Sequence, residues 1–152
     1  MIEAVFLDSA PLGLVTLRAR KSAEGDNCRA WLEALVSKGI RVYIPEIINY
    51  EVRRELLRAN KQEGIRRLNT LTRVAEYLPV TTQALRLAAG MWADARQRGI
   101  ITSHPKALDV DVILCAQALS LGIAPDTYVI ATSNVSHLQH FAPAQEWEKI
   151  VL

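Results

Sequence analysis

Cysteine is scarce in this sequence. The 152-residue chain holds two, Cys28 and Cys115, with no CxxC pair and no Cys/His cluster, which argues against a zinc site or a disulfide scaffold and fits a reducing compartment. No signal-peptide pattern opens the chain, because acids at positions 3 and 8 interrupt its first apolar stretch, MIEAVFLDSAPLGLVTLRAR. The uncharged run Val112–Pro125 is shorter than the roughly 20 apolar residues a bilayer span needs. Internal repeats, low-complexity tracts and a dividing linker are also missing. A single domain over residues 1–152, soluble and cytoplasmic, is therefore expected. The net charge of +2 neither demands nor excludes a nucleic-acid partner, so the distribution of charge has to decide. Half of the residues are hydrophobic and 22% are charged, an ordinary globular balance.

Short apolar runs alternate with helical patterns. Ala4–Leu7, Ile40–Ile44 and Tyr128–Ala131 read as buried strands, and Leu78–Val80 as a short strand or extended link. Ala10–Leu17 reads as a short helix or an ordered loop. Ser22–Asn27 is polar and turn-like, and a helix over Cys28–Lys38 follows, closed by Gly39. Pro45 suits the first turn of a helix over Glu46–Ala59, whose apolar stripe is Ile47, Ile48, Val52, Leu56 and Leu57. Further helices are expected over Glu63–Tyr77, from Thr81 or Thr82 to about Arg98 before Gly99, and over Val110–Leu121 before Gly122. Asn134–His140 reads as a helical turn and Trp147–Leu152 as a terminal piece. The order implies an α/β fold, a three-layer α/β/α arrangement around a mainly parallel central sheet of four to five strands.

Several polar residues fall at the ends or borders of these apolar elements. Asp8 closes the first strand and Asn134 follows the strand YVIA, so both belong at the carboxyl edge of a parallel sheet, where ligand sites gather. Glu51 lies on its helix between Ile47, Ile48 and Val52, a border on which a carboxylate needs a partner, a hydrogen bond or a metal. Asp109 and Asp111 open the last long helix. Two positions apart, they point roughly 200° from each other, and they converge only if Asp109 is the cap and Asp111 lies just inside, with Asp111 the one expected to face the site. As capping and first-turn acids, both also suit the helix dipole. Carboxylates gathered in one crevice would raise each other's pKa unless a cation sat among them. Hard oxygen donors select Mg²⁺ or Mn²⁺ over zinc.

The segments FLDSAPLG around Asp8, IPEIINYEVRREL around Glu51, LDVDVILCAQAL around Asp109 and Asp111, and VIATSNVSHLQHF around Asn134 resemble, in that order and spacing, the PIN-domain family and within it the VapC-like toxin ribonucleases. The resemblance spans Phe6 to Phe141. It implies that the metal-binding positions are Asp8, Glu51, Asp111 and Asn134, with Thr132 the small hydroxyl residue just before the last of these. Where the family usually has Asp, this chain has Asn134, whose amide carbonyl can ligate but brings no charge; Asp109 could supply the missing carboxylate. The implied activity is that of a Mg²⁺- or Mn²⁺-dependent endoribonuclease, in which water attacks the phosphorus in line and leaves a 5′-phosphate and a 3′-hydroxyl. The implied partners are an RNA substrate, a cognate antitoxin whose tail fills the active-site groove, and a second copy in a homodimer.

Charge is uneven along the chain. Between Arg53 and Arg73 stand seven basic residues and two acids, the pattern of a phosphate-tracking face or of a solvated helical hairpin. Arg53, Arg54, Arg58 and Arg66 are the candidate RNA contacts. His104, His137 and His140 are read as peripheral rather than catalytic. Trp31, Trp92 and Trp147 are read as core or dimer interface, and Tyr50, beside Glu51, as core packing ahead of a residue that supports the site from behind or contacts a base. The competing reading is a catalytically weak or inactive PIN-like module that binds RNA or protein. A phosphatase of the haloacid-dehalogenase type is disfavoured because Ala10 stands where Asp-x-Asp needs its second acid. A phosphotransfer receiver is disfavoured because Ile40–Ile44 runs into Pro45-Glu46 rather than an acceptor Asp.

Overall fold

The computed structural model describes residues 1–100 and 105–152. Five strands, β1 (Ala4–Leu7), β2 (Arg41–Pro45), β3 (Glu76–Leu78), β4 (Tyr128–Thr132) and β5 (Ala144–Glu146), form one sheet in the order β3-β2-β1-β4-β5. All four pairings are parallel. The helices are α1 (Ser9–Val15), α2 (Ala23–Ser37), α3 (Glu46–Arg58), α4 (Gln62–Leu71), α5 (Thr82–Gln97), α6 (Pro105–Leu119) and α7 (Val135–Leu138), with a 3₁₀ turn at Trp147–Lys149. This is the three-layer α/β/α arrangement expected. His104, read above as peripheral, lies outside the described residues. Among the described residues, no helix is long and apolar enough to cross a membrane.

The central strands are apolar on both faces because helices cover both. Every residue of β1 and of β4 is buried, as parallel pairing between helical layers requires. Phe6 stacks on its register partner Tyr43 at 4.7 Å between ring centroids and meets Tyr128 edge-on at 5.6 Å. One aromatic row thus links β2, β1 and β4, adding geometric preference to area burial. The α5 boundary follows its sequence signals: Thr81 accepts the Ala84 N–H at 3.0 Å, and Gly99 ends the helix region at φ +69°.

Several expected boundaries are corrected. The helix expected over Glu63–Tyr77 stops at Leu71, and Glu76–Leu78 is edge strand β3. Its anchors are polar: Arg41 donates to both Glu76 carboxylate oxygens at 3.0 and 3.1 Å, and the Tyr77 hydroxyl donates to Glu46 at 2.7 Å. Ser22–Asn27 is not a turn but the start of α2, with the Ser22 hydroxyl accepting the Gly25 N–H at 2.9 Å. Glycine fits position 25 because a Cβ there would stand 3.3 Å from the Leu14 carbonyl oxygen. Pro45 ends β2 and caps α3 from outside instead of lying within its first turn. On α3 the buried positions are Ile48, Asn49 and Val52, whereas Leu57 is exposed. Strand β5, just before Trp147, was not anticipated.

Candidate active site

The chain leaves β1 toward β2 on one side, while β4 lies on the other, so the crevice at the carboxyl ends of β1 and β4 is where the strand order reverses. Asp8, the first residue beyond β1, sits in that crevice and is buried. It caps α1, with Oδ1 accepting the Ser9 N–H at 2.7 Å. Its Oδ2 accepts the hydroxyl of Thr132, the last residue of β4, at 2.7 Å. The same hydroxyl oxygen accepts the Asn134 N–H at 2.8 Å. Thr132 therefore fixes the Asp8 carboxylate and the turn after β4 at once. Burial still holds the Asp8 carboxyl above the usual range; the hydrogen bonds from Thr132 and Ser9 pull it back, and the negative charge of Glu51 pushes it up.

Glu51 and Asp111 come from α3 and α6, which pack on each other. Gln117, a fully buried amide on α6, sets their register. Its Oε1 accepts the Ile47 N–H at 3.3 Å, one of the amides left orphaned at the start of α3, and its Nε2 donates to the Leu78 carbonyl at 2.8 Å. This residue was missed from sequence, although a lone amide inside LDVDVILCAQAL is a buried polar group that must find partners.

Asp111, like Asp8, is a perturbed acid. Its Oδ2 is buried and has no hydrogen-bond partner among the described residues. Its pKa is pushed up to about 7, first by burial, then by Asp8, then by Glu51. The three carboxylates thus lie within electrostatic range of one another. The same field reaches one turn further along α6, where burial, Asp111 and Asp8 hold the Cys115 thiol protonated, so that thiol is no nucleophile. Glu51 is partly open, with Oε2 3.8 Å from Arg54 Nη2. Among the described residues, no three His, Cys, Asp or Glu side chains are gathered as a finished cation cage. The donor set nonetheless suits a hard divalent cation: oxygen ligands only, mutual repulsion, and one buried carboxylate oxygen with nothing to bind.

Two expected members stand apart. The helix begins at Pro105, so Asp109 is not its cap as expected. Asp109 is exposed and lines a groove with Leu85, Ala88, Trp92 and Ile113, on the far side of α6 from Asp111, as the helical period demands. Asn134 is also exposed, and its side-chain nitrogen stands 2.6 Å from His137 Nδ1.

The basic hairpin is largely paired. Arg53 donates to Asn49 Oδ1 at 3.1 Å and Asn69 Oδ1 at 2.6 Å, tying α3 to α4. Arg58 pairs with Glu55 and Arg66 with Glu63 on the surface. Arg67 donates to the Thr16 carbonyl. Trp31 packs on buried Trp147 at 5.5 Å between centroids. Trp92 and Tyr50 are exposed, which for Tyr50 corrects the expectation of core packing.

Comparison with known proteins follows the same lines. The PIN domain family model matches residues 7–138. The fold is similar to a chain of VapBC2 from Rickettsia felis bound to a DNA fragment from its promoter, with a TM-score of 0.71 and 14% identity over 95% of this chain and 98% of that one. It is also similar to a chain of VapBC-1 from nontypeable Haemophilus influenzae, with a TM-score of 0.68 and 19% identity over 96% and 99%. A third similar chain belongs to DNA-bound VapBC from Salmonella typhimurium, with a TM-score of 0.65 and 20% identity over 97% and 99%. No match was found among curated protein sequences.

Proposed function

The chain belongs to the PIN-domain family, and from that premise we propose that it is a metal-dependent endoribonuclease, the toxin of a type II toxin–antitoxin pair. The observation that carries the reading is the buried Asp111 oxygen, partnerless among the described residues and repelled by Asp8 and Glu51. A protein that meant only to fold would place an amide or an apolar group there. Asp8, Glu51 and Asp111 are the residues that would hold the cation. Mg²⁺ or Mn²⁺ there would screen the charge developing on the phosphodiester and ease deprotonation of the attacking water.

The chain's own groups do the positioning. Thr132 and the Ser9 N–H orient Asp8, and Gln117 holds α3 against α6 so that Glu51 and Asp111 face one crevice. Asn134 and Asp109, both exposed, lie outside the central three and would contribute at most to an outer or second cation. Arg54, Arg58 and Arg66 are the proposed phosphate contacts: the glutamate partners of Arg58 and Arg66 are exposed, and such pairs are weak enough for a phosphate to displace, while Arg54 stands a long 3.8 Å from Glu51 and is itself exposed. Arg53 acts mainly through the α3–α4 tie. The likeness to chains of VapBC assemblies supports a cognate antitoxin as partner; a homodimer and a cytoplasmic setting belong to the same proposal. One observation favours the alternative of a weak or inactive binding module: Asn134 brings no charge and is engaged with His137.

Incubation with RNA and Mn²⁺ separates the two. Wild type should cleave, and Asp8→Asn and Asp111→Asn should not. Cleavage kept by both variants would place the chemistry elsewhere, and no cleavage by wild type would leave the binding module. Induced expression should arrest growth, and co-expression of the neighbouring small gene should relieve it.

A further inference from the structure

Tyr50 is an exposed aromatic on the rim of the acidic crevice. The residue is 55% exposed, although it neighbours Glu51 in the chain. Arg54, one turn on, places its guanidinium carbon 5.2 Å from the Tyr50 ring centroid and Nη2 3.8 Å from Glu51 Oε2. The guanidinium therefore bridges an open ring and an acid of the crevice, while more than half of the Arg54 side chain stays open to solvent. Beside it runs a groove of about 390 Å³ lined by Ser9, Gly13, Glu51, Arg54 and Lys61. Ser9 is the residue whose N–H holds Asp8.

We propose that Tyr50 and Arg54 form a stacking shelf for an unpaired nucleobase next to the scissile phosphodiester. The proposal rests on the nuclease reading and adds to it the surface on which an unpaired base of the RNA would rest. Tyrosine rings and arginine planes are the surfaces on which unpaired bases stack, and a duplex keeps its bases from both. A dry protein interface fits less well, since it would have to desolvate Arg54 and Glu51 at the ring's edge. A stacked base leaves both in water and keeps the guanidinium within reach of the adjoining phosphate.

The test is binding of short fluorescein-labelled single-stranded RNA, read by anisotropy in Ca²⁺, with cleavage measured separately in Mn²⁺. Tyr50→Ala should weaken binding about tenfold or more, the loss of one base stack. Tyr50→Leu, which keeps apolar bulk without a π face, should weaken it as much, and Tyr50→Phe should bind like wild type. RNA with abasic positions should not distinguish Tyr50→Ala from wild type. Wild-type affinity in Tyr50→Ala or Tyr50→Leu, or equal losses on duplex RNA, would overturn the shelf. So would Tyr50→Phe binding as poorly as Tyr50→Ala, which would mean a hydroxyl hydrogen bond instead. Asp111→Asn should lose cleavage yet keep the Tyr50-dependent affinity. Binding without cleavage in wild type would end the nuclease reading while the Tyr50 variants still decided the shelf, and absence of RNA binding in wild type would end both.

Discussion

The acidic crevice and the basic hairpin solve the same electrostatic problem in opposite ways. Along α3 and α4 the guanidinia have partners: Arg53 has two asparagines, Arg58 and Arg66 a glutamate three residues back, and Arg67 a carbonyl. In the crevice, half-buried Asp111 has one buried oxygen with no partner among the described residues, and the charges of Asp8 and Glu51 press on it. The hairpin's charges are many and mostly settled, so their number says little about function. The crevice's charges are few and unsettled, and that strain is only relieved when something positive arrives. Unmet electrostatic demand, more than charge density, marks the place where chemistry is expected.

Replacing the strained acid should break the contrast most sharply. Asp111→Asn is expected to lower RNA cleavage at least about a hundredfold, since the charge stabilisation a metal supplies is worth several kcal/mol. The same variant should be more stable than wild type in EDTA at neutral pH, by a few degrees in Tm, because the amide removes the repulsion. A variant that lost both activity and stability would show Asp111 to be structural.

The pH dependence follows from the same acid. Its pKa rises from 3.8 to about 7 on folding, so between those values the folded state binds more protons than the unfolded one. Stability in EDTA should therefore be fullest at acid pH and fall as pH rises from about 4 to about 7. Excess Mn²⁺ should flatten this slope, as should Asp111→Asn. Thermal unfolding across that range in EDTA and in Mn²⁺ is the measurement. A slope of the opposite sign would mean that Asp111 is ionised and satisfied in the folded chain.

Gln117→Leu sharpens the contrast from the other side by removing a buried polar group that does have partners. It orphans the Ile47 N–H and the Leu78 carbonyl, at a cost of about 2 kcal/mol in denaturant unfolding. Cleavage should fall with it, because α3 and α6 lose their shared register. The smallest effects belong to Arg58→Ala and Arg66→Ala. Each should leave stability nearly unchanged and reduce the salt slope of RNA binding by about one at most. An unchanged slope in the double variant would remove these two from the RNA face.

Sequence patterning made the centre of the molecule legible and its edges obscure. AVFL at β1 and the apolar run of β4 declare themselves because both faces are covered. EYL at β3 and AQE at β5 carry no such signal, since half-exposed edge strands three residues long are held by pairing and by side chains distant in sequence, such as Arg41 and Glu46. The early start of α6 was hidden because Asp109 imitates a cap, and that error alone brought Asp109 toward the site. Asp8, Glu51 and Asp111 could be singled out as polar residues at apolar borders. The partners of Gln117 and the exposure of Tyr50 could not, because each depends on which elements lie opposite.

The most direct test is a crystal grown with Mn²⁺ and measured for anomalous scattering. One strong peak touching the carboxylates of Asp8, Glu51 and Asp111 is the result this account predicts. A peak elsewhere, or none at saturating Mn²⁺ with Asp111 still facing an empty crevice, would contradict it.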